Sequence, residues 1–308
     1  MTRVARKRLR RRKRRKKAPS YLPKRSPLFA PPLEKKKWSG HAATVPGLSH
    51  LSRGIPCQDE AKTGNYPRPW LFAADGMGSS SCSQWGSASV TNLLPELADT
   101  FDPLLNQALD GVDIQSARKA WDLFKRWFYR HLVARQRSLA KEKGGISADY
   151  RYTLAMALVG SQRIGYLRIG DAVLLAHRAA EWEQPSPPRE GAFANQTSFV
   201  GSASELNEAE GEGLLDARGI DGLIAFTDGV SSQALGLRNQ NPAPALDALL
   251  EDARDGVLKT DDLYGFLANP KWNESTCDDR SLALLWPYEI EGEHNELDCQ
   301  TNSKTRII

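Results

Sequence analysis

From Trp70 onward, apolar residues fall into short solid runs and one long periodic stretch. Residues 70–74 (WLFAA) are apolar throughout and stop at Asp75-Gly76, which predicts a buried strand leading into a turn. The small residues Gly78–Ser83 follow, and a helix is predicted over 84–94. Ile114, Ala117, Trp121, Phe124, Phe128 and Leu132 recur at spacings of three and four, with Arg and Lys opposite. That pattern predicts a long helix over about 114–142, ended by Gly144-Gly145. Strand-like pieces at 151–159, 163–169 and 172–178 are separated only by Gly160-Ser161 and Gly170-Asp171. Strands joined by tight turns predict an antiparallel sheet rather than helical crossovers. Another apolar strand, Leu223–Phe226, runs into Thr227-Asp228-Gly229; helices are predicted over 243–254 and 259–267. The last core strand, Ser281–Trp286, is opened by Asp278-Asp279. The sum is an α+β body of one domain.

Charge divides the chain differently. Residues 1–37 hold 17 of the 42 Lys and Arg and one of the 37 acids, Glu34, so the rest carries 25 basic and 36 acidic groups, net −11. The run from Arg3 to Lys17 repels itself and has almost nothing to bury, so no fold of its own is expected; the prolines at 19, 23, 27, 31 and 32 keep the chain extended after it. We therefore expect a basic arm over 1–37, a folded body over 38–288, and a polar tail over 289–308. Residues 3–17 could take a polyanion such as nucleic acid, an acidic partner or an anionic surface, or simply stay solvated. Tyr21 is the one aromatic before Phe29, so base stacking has no support. No run of eighteen apolar residues occurs, so no membrane span is expected. Cysteines 57, 82, 277 and 299 lie far apart with no CxxC pair, which fits a reducing, cytoplasmic setting.

Three acidic turns stand at the ends of buried apolar strands: Asp75-Gly76, Asp228-Gly229 and Asp278-Asp279, with Gln58-Asp59 as a fourth candidate. An Asp at a strand end aims its carboxylate into the mouth of the sheet, and Gly beside it lets backbone approach a ligand. Carboxylates brought together there would need cations, and oxygen-only donors select Mg²⁺ or Mn²⁺ over zinc. Any one such turn alone is more simply a turn that Asp closes on its own backbone.

Five segments, in order, resemble the motifs of the protein phosphatase 2C family, the PPM-type metal-dependent serine/threonine phosphatases. They are IPCQDEA at 55–61, FAADGMGSS at 72–80, IGDAVLLAHR at 169–178 with FTDGVSS at 226–232, and CDDRSLALLW at 277–286. The likeness spans roughly 40–287, and the CQD and DGMGS forms look most like a divergent bacterial branch. It implies a four-layer α-β-β-α sandwich of two antiparallel sheets flanked by helices, with two Mg²⁺ or Mn²⁺ ions at one edge. By motif, Asp75 would bridge both ions, Gly76 would offer its carbonyl, Asp228 and Asp278 would complete one shell, and Asp59 would act in the second shell or through water. Asp75, Asp228 and Asp278 would thereby carry catalysis, the hydrolysis of phosphoserine or phosphothreonine in proteins by water activated between two metals.

The chain departs from the family pattern at several positions. Gln58 stands where Glu is frequent, and Met77 replaces the His that many relatives use as a proton donor; water or His50 could substitute. Ser232 replaces an Asp of the third metal site, leaving Asp171 available there. Arg53 lies one residue from the family's phosphate-binding Arg. Two other functions stay open: a pseudophosphatase that only binds phosphoprotein, and a nucleic-acid-associated protein directed by the arm. A cognate serine/threonine kinase is a further expected partner.

Overall fold

Strands that read as unbroken apolar runs must be covered on both faces, and that requirement dictates layers. The computed structural model describes residues 36–186, 197–202, 211–236 and 241–288. All of them belong to one unit, Pro32–Ile308. The arm up to residue 35 and the tail from 289 lie outside the described residues.

The elements in chain order are β1 (Lys37–Val45), α1 (Leu48–Arg53), β2 (Asp59–Gly64), β3 (Trp70–Asp75), α2 (Ser83–Thr100), α3 (Asp102–Leu105), α4 (Ile114–Lys143), β4 (Leu154–Val159), β5 (Arg163–Ile169), β6 (Val173–Arg178), β7 (Glu181–Glu183), β8 (Gly211–Asp216), β9 (Ile220–Phe226), α5 (Asp228–Ala234), α6 (Pro244–Arg254), α7 (Thr260–Leu267) and β10 (Arg280–Tyr288). Two antiparallel five-stranded sheets result, ordered β1-β10-β9-β6-β7 and β2-β3-β4-β5-β8. Their facing sides interlock through small and branched residues, among them Ala73, Ala155 and Ala157 from one sheet and Leu174, Ala225 and Ala283 from the other. On the outside of the second sheet, Phe72, Met156 and Leu158 pack against Val90 and Leu94 of α2 and Phe124 and Phe128 of α4. The first sheet turns Val173, Ile224 and Leu282 toward Leu246, Leu250 and Leu263 of α6 and α7. This is the four-layer α-β-β-α sandwich that the resemblance implies.

Several boundaries differ from expectation. The helix predicted over 84–94 runs through Ser83–Thr100 and contains Pro95. Burial of Val90, Leu94, Leu97 and Ala98 on its inner face outweighs the hydrogen bond that proline deletes. The strand predicted from 151 begins at Leu154, after a short helical turn over Ser147–Tyr150. Asp228 opens helix α5 rather than sitting in an open turn.

The register brings the acidic turns to one end. Asp59 at the start of β2 pairs with Asp75 at the close of β3, and Leu154 at the start of β4 pairs with Ile169 at the close of β5. In the other sheet Val173, Phe226 and Leu282 share one level. Two contacts stitch the sheets there: Thr227 Oγ1 donates to Asp59 Oδ2 at 2.7 Å, and Ser281 Oγ donates to the same oxygen at 3.2 Å.

Candidate active site

Asp59 is buried beneath this end, its Oδ2 held by Thr227 and Ser281. Burial pushes its carboxyl well above the usual range and Asp279 adds to the rise, against the lowering effect of the Thr227 hydrogen bond. Half-buried Asp75 is raised as well, first by burial and then by the charges of Asp59, Asp228 and Asp171. Asp228 is pushed up to about 6 by burial, Asp171 and Asp278, in that order. Carboxyls from β2, β3, the β5–β6 turn, α5 and the loop leading into β10 thus lie near enough at this end of the sandwich to raise one another.

The backbone around Asp75 is fixed on both sides. Thr153 N donates to the Asp75 carbonyl at 2.8 Å, and Gly76 N donates to the Gln58 carbonyl at 3.1 Å. A Cβ at Gly76 would stand 2.8 Å from that Gln58 oxygen and from Ser83, so the strand end can lie this close only as glycine. Among the described residues no donor is hydrogen-bonded to the Gly76 carbonyl.

The Asp278-Asp279 pair splits its labour. Asp278 is exposed, whereas Asp279 is only 2% exposed. The Asp279 carboxylate accepts from Gly47 N at 2.7 Å, from Gln58 N at 2.6 Å, and pairs with His50 Nδ1 at 2.7 Å. One side chain thus ties β1's exit, α1 and the 55–58 loop to the start of β10. Sequence reasoning missed Asp279, Thr227, Ser281 and Thr153 as parts of the site. The only signal was a polar residue beside a buried apolar strand, which does not reveal its partner.

The remaining candidates fall as follows. Gln58 is buried; its Nε2 donates to the Ser80 carbonyl at 2.6 Å, fastening the loop after Asp75-Gly76, while its Oε1 has no hydrogen-bond partner. His50 is committed through Nδ1 to Asp279. Arg53 is exposed at the end of α1, with Nε donating to the Ser49 carbonyl at 2.8 Å and no partner for its Nη groups among the described residues. Asp171 is exposed and accepts from Thr197 Oγ1 at 3.0 Å. The hydroxyl of Ser232 is buried without a partner.

Among the described residues no three His, Cys, Asp or Glu side chains are gathered tightly enough to hold an ion as they stand. The strand ends, which the raised carboxyls report, are set by register and burial. The donor set fits divalent ions on three counts: it is all oxygen, its carboxyls raise one another, and the Gly76 carbonyl takes no donor among the described residues.

Known proteins share this fold. A curated relative, serine/threonine-protein phosphatase 3 of Escherichia coli (strain K12), is 27% identical over 261 residues, covering 80% of this chain and 97% of its own. Among solved structures, Stp1, a serine/threonine phosphatase from Staphylococcus aureus, superposes with a TM-score of 0.53 at 17% identity, covering 83% of this chain and 96% of its own. The catalytic domain of the serine threonine protein phosphatase PstP, solved with two manganese ions, gives 0.52 at 18% identity over 82% of this chain and 99% of its own. The family model for protein phosphatase 2C matches residues 46–267, and with the sandwich and the acidic turns in place the chain belongs to that enzyme family.

Proposed function

We propose that this protein hydrolyses phosphoserine and phosphothreonine in other proteins with two bound divalent ions, Mg²⁺ or Mn²⁺. The observation that carries the reading is the register and the Thr227–Asp59 hydrogen bond that bring Asp59, Asp75 and Asp228 to one end of the sandwich, where burial and mutual charge raise their carboxyls. Asp75, the Gly76 carbonyl, Asp228 and Asp278 would hold the ions, with Asp59 behind them and Asp171 beside a third position. Ions held there supply an attacking water acidic enough for neutral pH and positive charge against the phosphate oxygens. PstP carries two manganese ions in its solved catalytic domain, and the curated relative is a serine/threonine phosphatase by name.

The chain's own residues do the rest. Asp279, next to Asp278 in the chain, holds Gly47 and the Gln58-Asp59 segment in one frame. Arg53 presents both Nη groups to solvent, a fork matched to two phosphate oxygens. Met77 occupies the place of a proton donor and His50 is buried with Nδ1 on Asp279, which leaves water as the proton source for the leaving alkoxide in this reading.

In this reading the protein is cytoplasmic, and its partners are a phosphoprotein, the serine/threonine kinase that makes it, and a polyanion at residues 3–17. The same reading divides the chain into a basic arm over 1–37, a catalytic body over 38–288 and a polar tail over 289–308. Among the described residues no helix is long and apolar enough to cross a membrane.

The test is hydrolysis of p-nitrophenyl phosphate and of a phosphothreonine peptide with Mn²⁺. Activity should vanish with chelator and fall by at least about a hundredfold in Asp75→Asn, a loss of roughly 3 kcal/mol in transition-state stabilisation. Mn²⁺-loaded wild type that binds the peptide without turning it over would instead establish a pseudophosphatase.

A further inference from the structure

Helix α4 carries nine Lys or Arg and only two acids, Asp122 and Glu142, although the chain outside the arm has a net charge of −11. Its basic residues are not scattered. At about 100° per residue, Lys119, Arg126, Arg130, Arg137 and Lys141 fall within a stripe about 60° wide and about 33 Å long. All five are exposed. The stripe lies opposite the side that buries Ala117, Trp121, Phe124, Phe128, Leu132 and Leu139, so it is the outermost line of the helix. The ion pairs of α4 lie off this line: Lys125 reaches Asp122 and Glu212, and Arg135 reaches Glu142. Among the described residues Lys119, Arg126, Arg137 and Lys141 have no ion pair. Arg130 stacks on Trp127, its Cζ 5.5 Å from the ring centroid. Along the stripe Arg126 is followed four residues later by Arg130, and Arg137 by Lys141. Like charges at that spacing destabilise a helix, whereas a face that served solubility alone would gain from alternating signs.

We propose that this stripe binds the phosphate backbone of a single nucleic-acid strand without reading its sequence. The inference stands apart from the phosphatase reading and from the basic arm. Charge complementarity names a polyanion, and the flanks of the stripe narrow the choice. Asp122 is exposed on one flank. On the other, the Phe101 ring stacks on Trp127 at 6.4 Å and follows the exposed Glu96 and Asp99 of α2. A broad anionic surface such as a membrane would press against these acids, whereas a strand can follow the line between them. An acidic peptide is as narrow, but it lacks the condensed counterions whose release drives binding to a nucleic acid. Three of the five side chains are Arg, whose planar fork matches two phosphate oxygens.

The experiment follows the fluorescence anisotropy of a labelled single strand of about 20 nucleotides with the full chain, between about 50 and 200 mM salt. Wild type should bind, more weakly as salt rises. The stripe variant is Lys119→Gln, Arg126→Gln, Arg137→Gln, Lys141→Gln. Its slope of log affinity against log salt should shrink by about three, four lost phosphate contacts at about 0.7 each. Its affinity at about 0.1 M salt should fall at least about tenfold. A charge-matched variant off the stripe, Lys62→Gln, Arg218→Gln, Lys259→Gln, Lys271→Gln, should stay within about twofold of wild type. The arm is intact in all three proteins, so its contribution is common to them. The stripe variant loses two like-charge pairs at exposed positions, so its Tm should not fall and lost binding reports lost contact. No binding by wild type, an unchanged slope in the stripe variant, or an equal loss in the off-stripe variant overturns the proposal. So does wild-type binding to polyglutamate or to phosphatidylserine vesicles that equals binding to the strand and falls in the stripe variant.

Discussion

The carboxylate of Asp279 accepts from two backbone N–H groups and pairs with one imidazole, whereas its neighbour Asp278 stands in solvent. Deleting a buried carboxylate with three donors orphans all three, at a cost of about 3–5 kcal/mol. Asp279→Ala should therefore lower the denaturant midpoint strongly. Asp278→Ala should leave the midpoint within about 0.5 kcal/mol of wild type while removing most phosphatase activity. Equilibrium unfolding beside a Mn²⁺-dependent assay separates the two, and the reverse pattern would remove the division of roles. Nothing in the dipeptide foretells which Asp faces inward. Residue 279 precedes an apolar strand and residue 278 ends a polar loop, but the deciding partners, Gly47 and Gln58, lie more than two hundred residues upstream. Asp75 and Asp228 were legible as candidates because each closes a solid apolar run that had to be a buried strand.

At the scale of elements, legibility follows burial. The strands covered on both faces, β3, β4, β5, β6, β9 and β10, announce themselves as apolar runs. Strand β2 (DEAKTG) and strand β8 (GEGLLD) are only partly covered, so their sequences carry no clear period. Helix α1 is too short for periodicity to register. Yet α1 and the turn before it set the position of Asp278. Gly47 has φ −75°, which any residue can adopt, so contact alone demands glycine there. Gly47→Ala should push the start of β10 away from α1. The expected outcome is a loss of more than about tenfold in kcat, since misplacing a site by about 1 Å can cost a hundredfold. The far-UV spectrum should stay that of the wild type. Wild-type kcat in this variant would show that the close approach is not part of the active geometry.

For the molecule as a whole, the sandwich concentrates like charge where the sheets end, and this links stability to metal and to pH. The carboxyls of Asp59, Asp75 and Asp228 are raised in the folded state, by burial first and then by one another. A raised carboxyl means that the fold holds its proton more tightly than the unfolded chain does. Its favourable contribution is complete below the unfolded value and is lost as pH rises through the folded one. For Asp228 that window runs from the ordinary 3.8 up to about 6, and for Asp59 and Asp75 it extends upward in the same direction. Metal-free protein should thus lose stability from these groups between mildly acidic and neutral pH. Mn²⁺ bound among these carboxylates would replace the lost protons, and at a hundred times Kd each bound ion would add about 2.7 kcal/mol. For a body of this size each kcal/mol moves Tm by roughly 2–4 °C, so two ions should raise Tm by about 10 °C or more at neutral pH. The increment should shrink toward pH 5, where protons compete for the same oxygens, and it should be largely absent in Asp75→Asn. A Mn²⁺ increment that is the same at both pH values, or that Asp75→Asn retains, would mean that the ions bind somewhere other than among these carboxylates.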